Sequence, residues 1–301
     1  LMAAAKRYVV RKLMTTPQLF RPLYRAGQVV RPILPESLKS KVMPVQTGGC
    51  VPKSEHSRKV LMLEGCVQPS MSPNINYATQ RVLDRLGIQT VLPSGAGCCG
   101  AVNLHLNAEH DALDNMRRNI DAWYPWLQKG VKTLVVNASG CGVMVKEYGY
   151  QLRNDPQYAE KAATVSRAVK DIVELLSVEV EQIKLLLRQR PSEKIAYHPP
   201  CTLQHGQRLS GSVEALFQAL GFTVWLPENK HLCCGSAGTY SLFESEWSML
   251  LKQNKQQTLE QLQPDIVLSA NIGCIAHLAE GMGVPVCHWI EYLDEQMAEA
   301  V

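Results

Sequence analysis

The hydrophobic pattern of the chain alternates between short apolar runs and longer amphipathic stretches. In the first half, the run "VLMLEG" at residues 60–65 predicts a strand, and apolar positions at helical spacing from Asn74 to Leu86 predict a helix that ends at Gly87. The run "QTVLP" predicts a second strand, residues 108–129 a second helix, and "KTLVVNASG" a third strand. The first half is therefore expected to contain three strands separated by two helices.

The second half repeats this order, with predicted strands at "KIAYHPP", "TVWLP" and "DIVLSANIG". Strands that alternate with helices favour a parallel sheet with right-handed crossovers. We therefore predict an α/β fold made of two tandem parallel-sheet repeats. A stretch of mixed polar and apolar residues, from about residue 155 to residue 190, is predicted to join the two halves.

The cysteines indicate that the two halves are copies of one unit. Each half contains a single cysteine, a Cys-Cys pair and another single cysteine: Cys66, Cys98, Cys99 and Cys141, then Cys201, Cys233, Cys234 and Cys274. The numbering offsets between matching cysteines are 135, 135, 135 and 133, and "VLDRLGIQTVLP" matches "LFQALGFTVWLP" between them. Cysteines that served only packing would not keep this register, so a shared chemical role is indicated.

Each of these cysteines is expected just after a predicted strand. Ligands of parallel sheets gather beyond the carboxyl ends of the strands, so the four sulfurs of each half are expected at one edge. Zinc sites usually use short Cys-x2–4-Cys pairs, whereas thiolates suit soft iron–sulfur centres. An iron–sulfur cluster in each half is the favoured interpretation. Zinc or another metal, and dithiol chemistry at the adjacent cysteines, are the alternatives.

The spacing resembles that of the cysteine-rich CCG domain. The first cysteine and the pair are separated by positions 67–97 in one half and 202–232 in the other, and the pair and the last cysteine by positions 100–140 and 235–273. The resemblance covers residues 58–301, and "MLEGC", "NASGC", "PCTLQH" and "HLCCGSAGTY" look most like the glycolate oxidase iron–sulfur subunits. The same family includes a subunit of heterodisulfide reductase, lactate-utilisation proteins and an iron–sulfur subunit of glycerol-3-phosphate dehydrogenase.

The resemblance implies an electron-transfer subunit of a flavin-dependent complex that oxidises glycolate or another 2-hydroxy acid. All eight cysteines would then bind up to two iron–sulfur clusters of the [4Fe–4S] type, FAD would lie on a partner subunit, and this chain would contain no catalytic residue. Flavin-containing subunits are the expected partners, and a quinone-type acceptor or a membrane surface is a further one. The alternatives are a thiol–disulfide redox subunit, the iron–sulfur subunit of a lactate or glycerol-3-phosphate dehydrogenase, and a metal-stapled scaffold.

Two departures from the family pattern change these expectations. The closing Cys-x-x-Cys reads Cys141-Gly-Val-Met144 in one half and Cys274-Ile-Ala-His277 in the other. Four thiolates suffice for an ordinary [4Fe–4S] centre, so electron relay is favoured over disulfide reduction. His277 is expected to pack or hydrogen-bond, with a ligand role as the alternative, and Met144 is expected in the core. The ferredoxin-type Cys-x2-Cys-x2-Cys-x3-Cys-Pro run is absent from the sequence, so we expect a fragment that lacks a ferredoxin module.

The charge is unevenly distributed. Positions 1–42 contain nine Lys or Arg and one acid, Glu36, and so carry a net +8; because the whole chain carries +4, the remainder carries −4. We predict a basic helical segment and linker at 1–57, a first cysteine-rich domain at 58–190 and a second at 191–301. The basic segment is expected to be a solvated helix pair, with contact to anionic lipid or a partner subunit as the alternative. Because the body of the chain is acidic, nucleic-acid binding is disfavoured.

The remaining sequence features are less informative. Neither a long apolar run nor a signal-peptide pattern is present. We therefore expect a cytoplasmic protein, and peripheral contact with the inner membrane is the alternative. Cys50 and Cys287 are expected to be incidental, and His198 and His205 are candidates for tuning a nearby cluster through hydrogen bonds. No glycine-rich phosphate loop or Ser-His-Asp order supports nucleotide binding or hydrolysis.

Overall fold

The computed structural model describes residues 2–39, 42–188 and 193–297. The chain begins with a helical segment that contains α1 (Met2–Thr15), α2 (Pro17–Val30), a 3-10 turn (Arg31–Ile33) and α3 (Glu36–Lys39). Residues 43–57, predicted as linker, contain no helix or strand. They are nevertheless held against the body, because Arg81 donates to the carbonyls of Gly48 and Cys50 at 2.9 and 3.2 Å.

The first repeat follows the linker. Its elements are β1 (Arg58–Leu63), α4 (Gln68–Met71), α5 (Pro73–Arg85), β2 (Ile88–Val91), α6 (Ala101–His105), α7 (Glu109–Gln128), β3 (Leu134–Val136), α8 (Ser139–Lys146), α9 (Tyr148–Gln151), α10 (Ala159–Ala168), β4 (Val169–Asp171) and α11 (Ile172–Leu176). The strands form a parallel sheet in the order β2-β1-β3-β4.

The second repeat has the same arrangement. After α12 (Val180–Leu186) come β5 (Ile195–His198), a π-helical turn (Thr202–Gly206), α13 (Ser212–Ala219), β6 (Val224–Trp225), α14 (Tyr240–Phe243), α15 (Ser245–Glu260), β7 (Ile266–Ser269), α16 (Ile272–Ala279), β8 (Val286–His288) and α17 (Trp289–Gln296). Its parallel sheet has the order β6-β5-β7-β8. The predicted fold class, two tandem parallel-sheet α/β repeats after a helical segment, is confirmed.

The helices form where their sequences present an apolar face and a stop signal. Helix α5 begins with Pro73, whose missing N–H costs nothing in the first turn, and buries Ile75, Val82 and Leu83 on one side. It ends before Gly87, which adopts a φ of +69° and so terminates the helix as predicted. The bounds predicted for α5 and α7 agree with the structure to within about one residue.

The prediction of three strands per repeat was wrong, because each sheet has a fourth. The stretch assigned to joining the halves contains β4 and α11, and β4 pairs with β3. Asp171 ends β4 and caps α11: its carboxylate accepts from Val173 N–H, and Glu174 accepts from Asp171 N–H. His288 and Glu291 make the equivalent capping box at the end of β8. Unlike β3, whose three residues are all apolar, β4 reads Val-Lys-Asp and so offers no apolar run that would mark a strand.

The two repeats pack on each other through one continuous hydrophobic core. Helix α5 of the first repeat contacts α17 of the second, and α13 of the second contacts α11 of the first. Ile75 and Val82 therefore share a core with Phe217 and Trp289. Polar contacts close the edge of this interface, where Asp294 accepts from Arg81 and Arg85 at 2.7 and 2.6 Å. The predicted domain boundary at Arg190 and Pro191 lies outside the described residues.

The basic N-terminal segment lies across both repeats. Arg11 on α1 forms an ion pair with Asp111 and donates to Asn103 on α6. At the other side of α1, Lys6 donates to the carbonyl of Leu242 at 3.3 Å and lies 5.4 Å from the ring centre of Phe243. Helix α1 thus contacts the short helix that follows the Cys-Cys pair in each repeat. Among the described residues, no helix has the length and apolar character needed to cross a membrane.

Candidate metal centres

The first set of cysteines comprises Cys66, Cys98, Cys99 and Cys141. Cys66 follows β1, the Cys-Cys pair lies between β2 and α6, and Cys141 is in the first turn of α8 beyond β3. Cys66 and Cys98, Cys98 and Cys99, and Cys99 and Cys141 lie close enough for each thiol to shift the pKa of the next. The edge of the sheet therefore brings together four sulfurs that are far apart in the sequence.

The second set comprises Cys201, Cys233, Cys234 and Cys274 and has the same connections. Cys201 and Cys233, Cys233 and Cys234, and Cys234 and Cys274 lie close enough for neighbouring thiols to shift each other's pKa. Its last cysteine lies in the first turn of α16. Cys141 and Cys274 each follow a strand closely, as expected, and both lie on a helix. A helix begins immediately beyond β3 and β7 and carries these two sulfurs.

The sulfurs within each set share protons unequally. Hydrogen bonds from Cys66 and Cys99 lower the pKa of Cys98 well below its usual range, while the hydrogen bond to Cys98, followed by burial, raises the pKa of Cys66. Hydrogen bonds from Cys201 and Cys234 lower the pKa of Cys233 to about 2. In each set one thiolate is therefore held by two neighbouring thiols, whose protons a metal would replace.

Backbone geometry at the Cys-Cys-Gly turn is common to both sets. Gly100 and Gly235 have φ angles of +93° and +87°, a region that favours glycine. A Cβ at either position would also meet a backbone carbonyl of the following long helix, at Ala112 in the first repeat and at Ser248 in the second. Gly235 N–H donates to the Cys233 sulfur at 3.3 Å. The glycine therefore turns the chain sharply and brings an amide to the sulfur.

The donor set fits an iron–sulfur cluster. Four thiol groups at one sheet edge supply the number and kind of ligand that such a cluster takes. Next to the second set, the buried His198 has an Nε2 atom without a hydrogen-bond partner among the described residues, while its Nδ1 lies 3.0 Å from Ser269 Oγ. No group of three or more His, Cys, Asp or Glu side chains in the described part of the chain is arranged to hold a single metal ion.

The histidines of the second repeat differ in their surroundings. Burial lowers the pKa of His198 to about 3, so its ring is neutral at physiological pH. His277 Nε2 lies 3.2 Å from Ser248 Oγ, which itself donates to the Gly235 carbonyl. His205 is exposed and contacts the carbonyl of His231. The hydrogen-bonding role expected for His277 has a partner here, and a ligand role for it stays a prediction.

The other residues singled out in the sequence lie away from the two sets. Met144 is buried in the core of the first repeat, as predicted. Cys50 is exposed in the linker. Cys287 packs against the shared core, and burial raises the pKa of its thiol.

Three polar residues beside the sets were missed by the sequence analysis. Asn119 on α7 donates to the carbonyl of Cys98 and accepts from Gly97 N–H, at 2.9 and 2.8 Å. The buried Tyr148 hydroxyl donates to the carbonyl of Cys99 at 2.8 Å. Lys255, on α15 beside the second set, is only 2% exposed. The sequence signal that could have revealed Asn119 and Lys255 is a polar residue on the apolar face of a long helix.

The two sets differ in their access to solvent. In the first set only Cys141 is partly exposed, whereas in the second set both Cys201 and Cys233 are. A cavity of about 290 Å³ lies beside Cys233, with Leu232, Leu251 and Lys255 in its wall. The second set is therefore the more open of the two.

Comparison with known proteins defines the class of this chain. The sequence profile of the cysteine-rich (CCG) domain matches residues 60–146 and again residues 195–279, together more than half of the chain. The chain belongs to the CCG cysteine-rich domain family.

Within that family, its similarity to one kind of subunit is high. The "Glycolate oxidase iron-sulfur subunit" of Escherichia coli (strain K12) is 47% identical over 291 residues, which are 96% of this chain and 70% of that protein. The "Probable glycolate oxidase iron-sulfur subunit" of Bacillus subtilis (strain 168) is 27% identical, over 88% of this chain and 59% of that protein. "Lactate utilization protein A" of Bacillus licheniformis is 26% identical over 79% of this chain.

One solved structure shares the fold. The crystal structure of a hypothetical protein from Helicobacter pylori has a TM-score of 0.52 to this chain, at 10% identity, and the match covers 98% of this chain and 65% of that one. At that identity the likeness concerns the fold alone.

Proposed function

We propose that this chain relays electrons through two iron–sulfur clusters, one bound by each set of four cysteines. The observation that carries the proposal is that four cysteines meet at the same edge of each sheet, on the same Cys-Cys-Gly backbone in both repeats. A bound cluster accepts and releases one electron at a time. The chain's own contribution is to bring four sulfurs together at one sheet edge, to bury three of the four in the first set, and to direct amides such as Gly235 N–H at a sulfur.

We further propose that the electrons come from oxidation of glycolate on a flavin-containing partner subunit and pass toward a quinone-type acceptor. Support comes from the 47% identity to the Escherichia coli subunit, against 26% for the lactate-utilisation protein. The [4Fe–4S] type is supported by the number of sulfurs, since four thiolates saturate such a cluster. The fifth cysteine of a disulfide-reducing site is replaced by Met144 and His277, which favours relay over disulfide chemistry.

Anaerobic purification with iron and acid-labile sulfide analysis tests the first part. The variants Cys99→Ser and Cys234→Ser should each lose about half of the iron and sulfide, because each removes one ligand of four from one centre. Cys50→Ser and Cys287→Ser are matched controls outside the sets and should retain the full content. A colourless wild-type protein with stoichiometric zinc would overturn the relay function.

Mixing with the partner tests the second part. Glycolate should reduce the clusters only when the flavin-containing subunit is present, and absorbance bleaching or EPR would report it. Reduction by lactate or glycerol-3-phosphate but not by glycolate would assign the chain to a different dehydrogenase. Direct reduction of the isolated chain by glycolate would contradict the proposal that glycolate is oxidised on the partner subunit.

A further inference from the structure

The two repeats place different residues at one equivalent position beside their cysteine sets. The glycine after each Cys-Cys pair faces the carbonyl of Ala112 on α7 or of Ser248 on α15, so these two helix positions correspond. About two helical turns further along each helix lie Asn119 in the first repeat and Lys255 in the second. A neutral amide in one half therefore corresponds to a cationic side chain in the other.

Lys255 is a buried cation without an acidic partner. Its side chain is 2% exposed, and its ammonium donates to the carbonyl of Asn229. Among the described residues, no Asp or Glu forms an ion pair with it, whereas Lys252, one turn earlier, pairs with Glu280 at 2.7 Å. Lys255 and Cys233 line the same cavity; burial lowers the pKa of Lys255, and the charges of Cys234, Cys233 and Cys274 oppose that shift. Buried cations are ordinarily paired, so the negative charge available to Lys255 is that of the second cysteine set.

The first set has no equivalent charge among the described residues. Asn119 is fully buried and neutral. Its side-chain amide accepts from Gly97 N–H and donates to the carbonyl of Cys98 and to the Tyr148 hydroxyl. The cation that acts on Cys98 is Arg118, but its side chain is exposed. Water screens an exposed charge far more than a buried one. The second set therefore experiences the stronger positive field from its surroundings.

We propose that Lys255 makes the centre of the second set the more easily reduced of the two, so that it accepts an electron from the centre of the first set. Addition of an electron makes a centre more negative, and a nearby buried ammonium favours that form. The inference rests on the proposed function, because it requires a cluster at each set. Lys255 acts here as a tuning residue through the field at the sulfurs, without binding the metal.

A redox titration of the anaerobic wild-type chain and its variants, followed by EPR, tests this proposal. Lys255→Gln should lower the midpoint potential of the second centre, so that the equilibrium constant for its reduction falls about tenfold or more. The midpoint potential of the first centre should not change. The double variant Lys252→Gln/Glu280→Gln is the control, since it alters the same helix without changing the net charge. Equal shifts of both centres, no shift, or the same shift in the control would overturn the proposal.

A second measurement does not depend on the folding of the Lys255 variant. The centres left in Cys99→Ser and in Cys234→Ser report the second and first potentials separately, and the second should be the higher. The reverse order would overturn the proposal even if both clusters are present. Absence of iron and sulfide at the second set would overturn the proposed function as well, so the two failures are distinguished by metal content.

Discussion

The two cysteine sets share a backbone but not an environment. Both are built from the turn after the first strand, a Cys-Cys-Gly turn and the first turn of a helix, and both link their sulfurs in the same order. Around the first set lie the neutral Asn119 and a largely closed surface, whereas Lys255, His198 and a cavity surround the second. The two repeats therefore keep one arrangement of cysteines through a common backbone, while the residues around each arrangement differ.

The largest expected contrast between the repeats lies in the capping residues of α11 and α17. Burial raises the pKa of Asp171 to about 6 and lowers the pKa of His288 to about 3. A raised carboxyl pKa means that the contribution of Asp171 is fully present below about pH 4 and is lost as the pH rises through 6. A lowered histidine pKa means that the contribution of His288 is fully present above about pH 6.5 and is lost as the pH falls toward 3.

The variants Asp171→Asn and His288→Asn should therefore flatten opposite sides of the pH–stability profile. The pH-dependent part is up to about 3 kcal/mol for Asp171 and up to about 5 kcal/mol for His288, and asparagine retains the capping acceptor. Urea unfolding between pH 4 and pH 8 measures both effects. A profile unchanged by either substitution would show that these caps do not distinguish the repeats.

The glycines of the Cys-Cys-Gly turns give the next largest effect. Gly235→Ala should destabilise the fold by about 4 kcal/mol and Gly100→Ala by about 2 kcal/mol, because both adopt a left-handed backbone and the new Cβ lies closer to Ser248 O than to Ala112 O. Each substitution should also deplete iron from its own set only.

Matched glycine controls are available in both repeats. Gly130 and Gly211 have φ angles of +95° and +81°, and a Cβ at either would meet nothing within 4 Å. Their alanine variants should lose only about 1 kcal/mol, measured by thermal or urea unfolding. If Gly235→Ala costs no more than Gly211→Ala, the close approach of the turn to α15 is not what holds the second set.

Asn119 tests what supports the first set. Asn119→Ala should cost about 2–3 kcal/mol, because it leaves Gly97 N–H and the Cys98 carbonyl buried without their partner. Tyr148→Phe, which removes only the donor to the Cys99 carbonyl, should cost about 1 kcal/mol. EPR of the two variants should show the first centre weakened and the second intact; equal damage to both centres would argue against local support.

The smallest expected effect is a difference in iron loss. Because Cys201 and Cys233 are partly exposed, a chelator under mild oxidation should remove iron from the second set a few-fold faster than from the first. The loss can be followed by absorbance in Cys99→Ser and Cys234→Ser, each of which retains one set. Faster loss from the first set would mean that static exposure does not control access.

The sequence alone determined the repeat, the fold class and the eight cysteines. Those features are recorded in local patterns: strand and helix periodicity around Gly87, and the constant offset that relates Cys66 to Cys201 and Cys98 to Cys233. These features can be read without the tertiary structure because each repeat contains its own copy of the pattern.

The surroundings of the cysteines depend on tertiary contacts and could not be read from the sequence. The fourth strand of the first repeat was missed because Val169–Asp171 contains a single apolar residue, and its place in the sheet comes from pairing with β3. Asn119 and Lys255 gain their significance from contacts with Cys98 and Asn229, which lie far from them in the sequence. A buried charge or amide is defined by what folds around it, so the difference between the two centres appears only once the chain is folded.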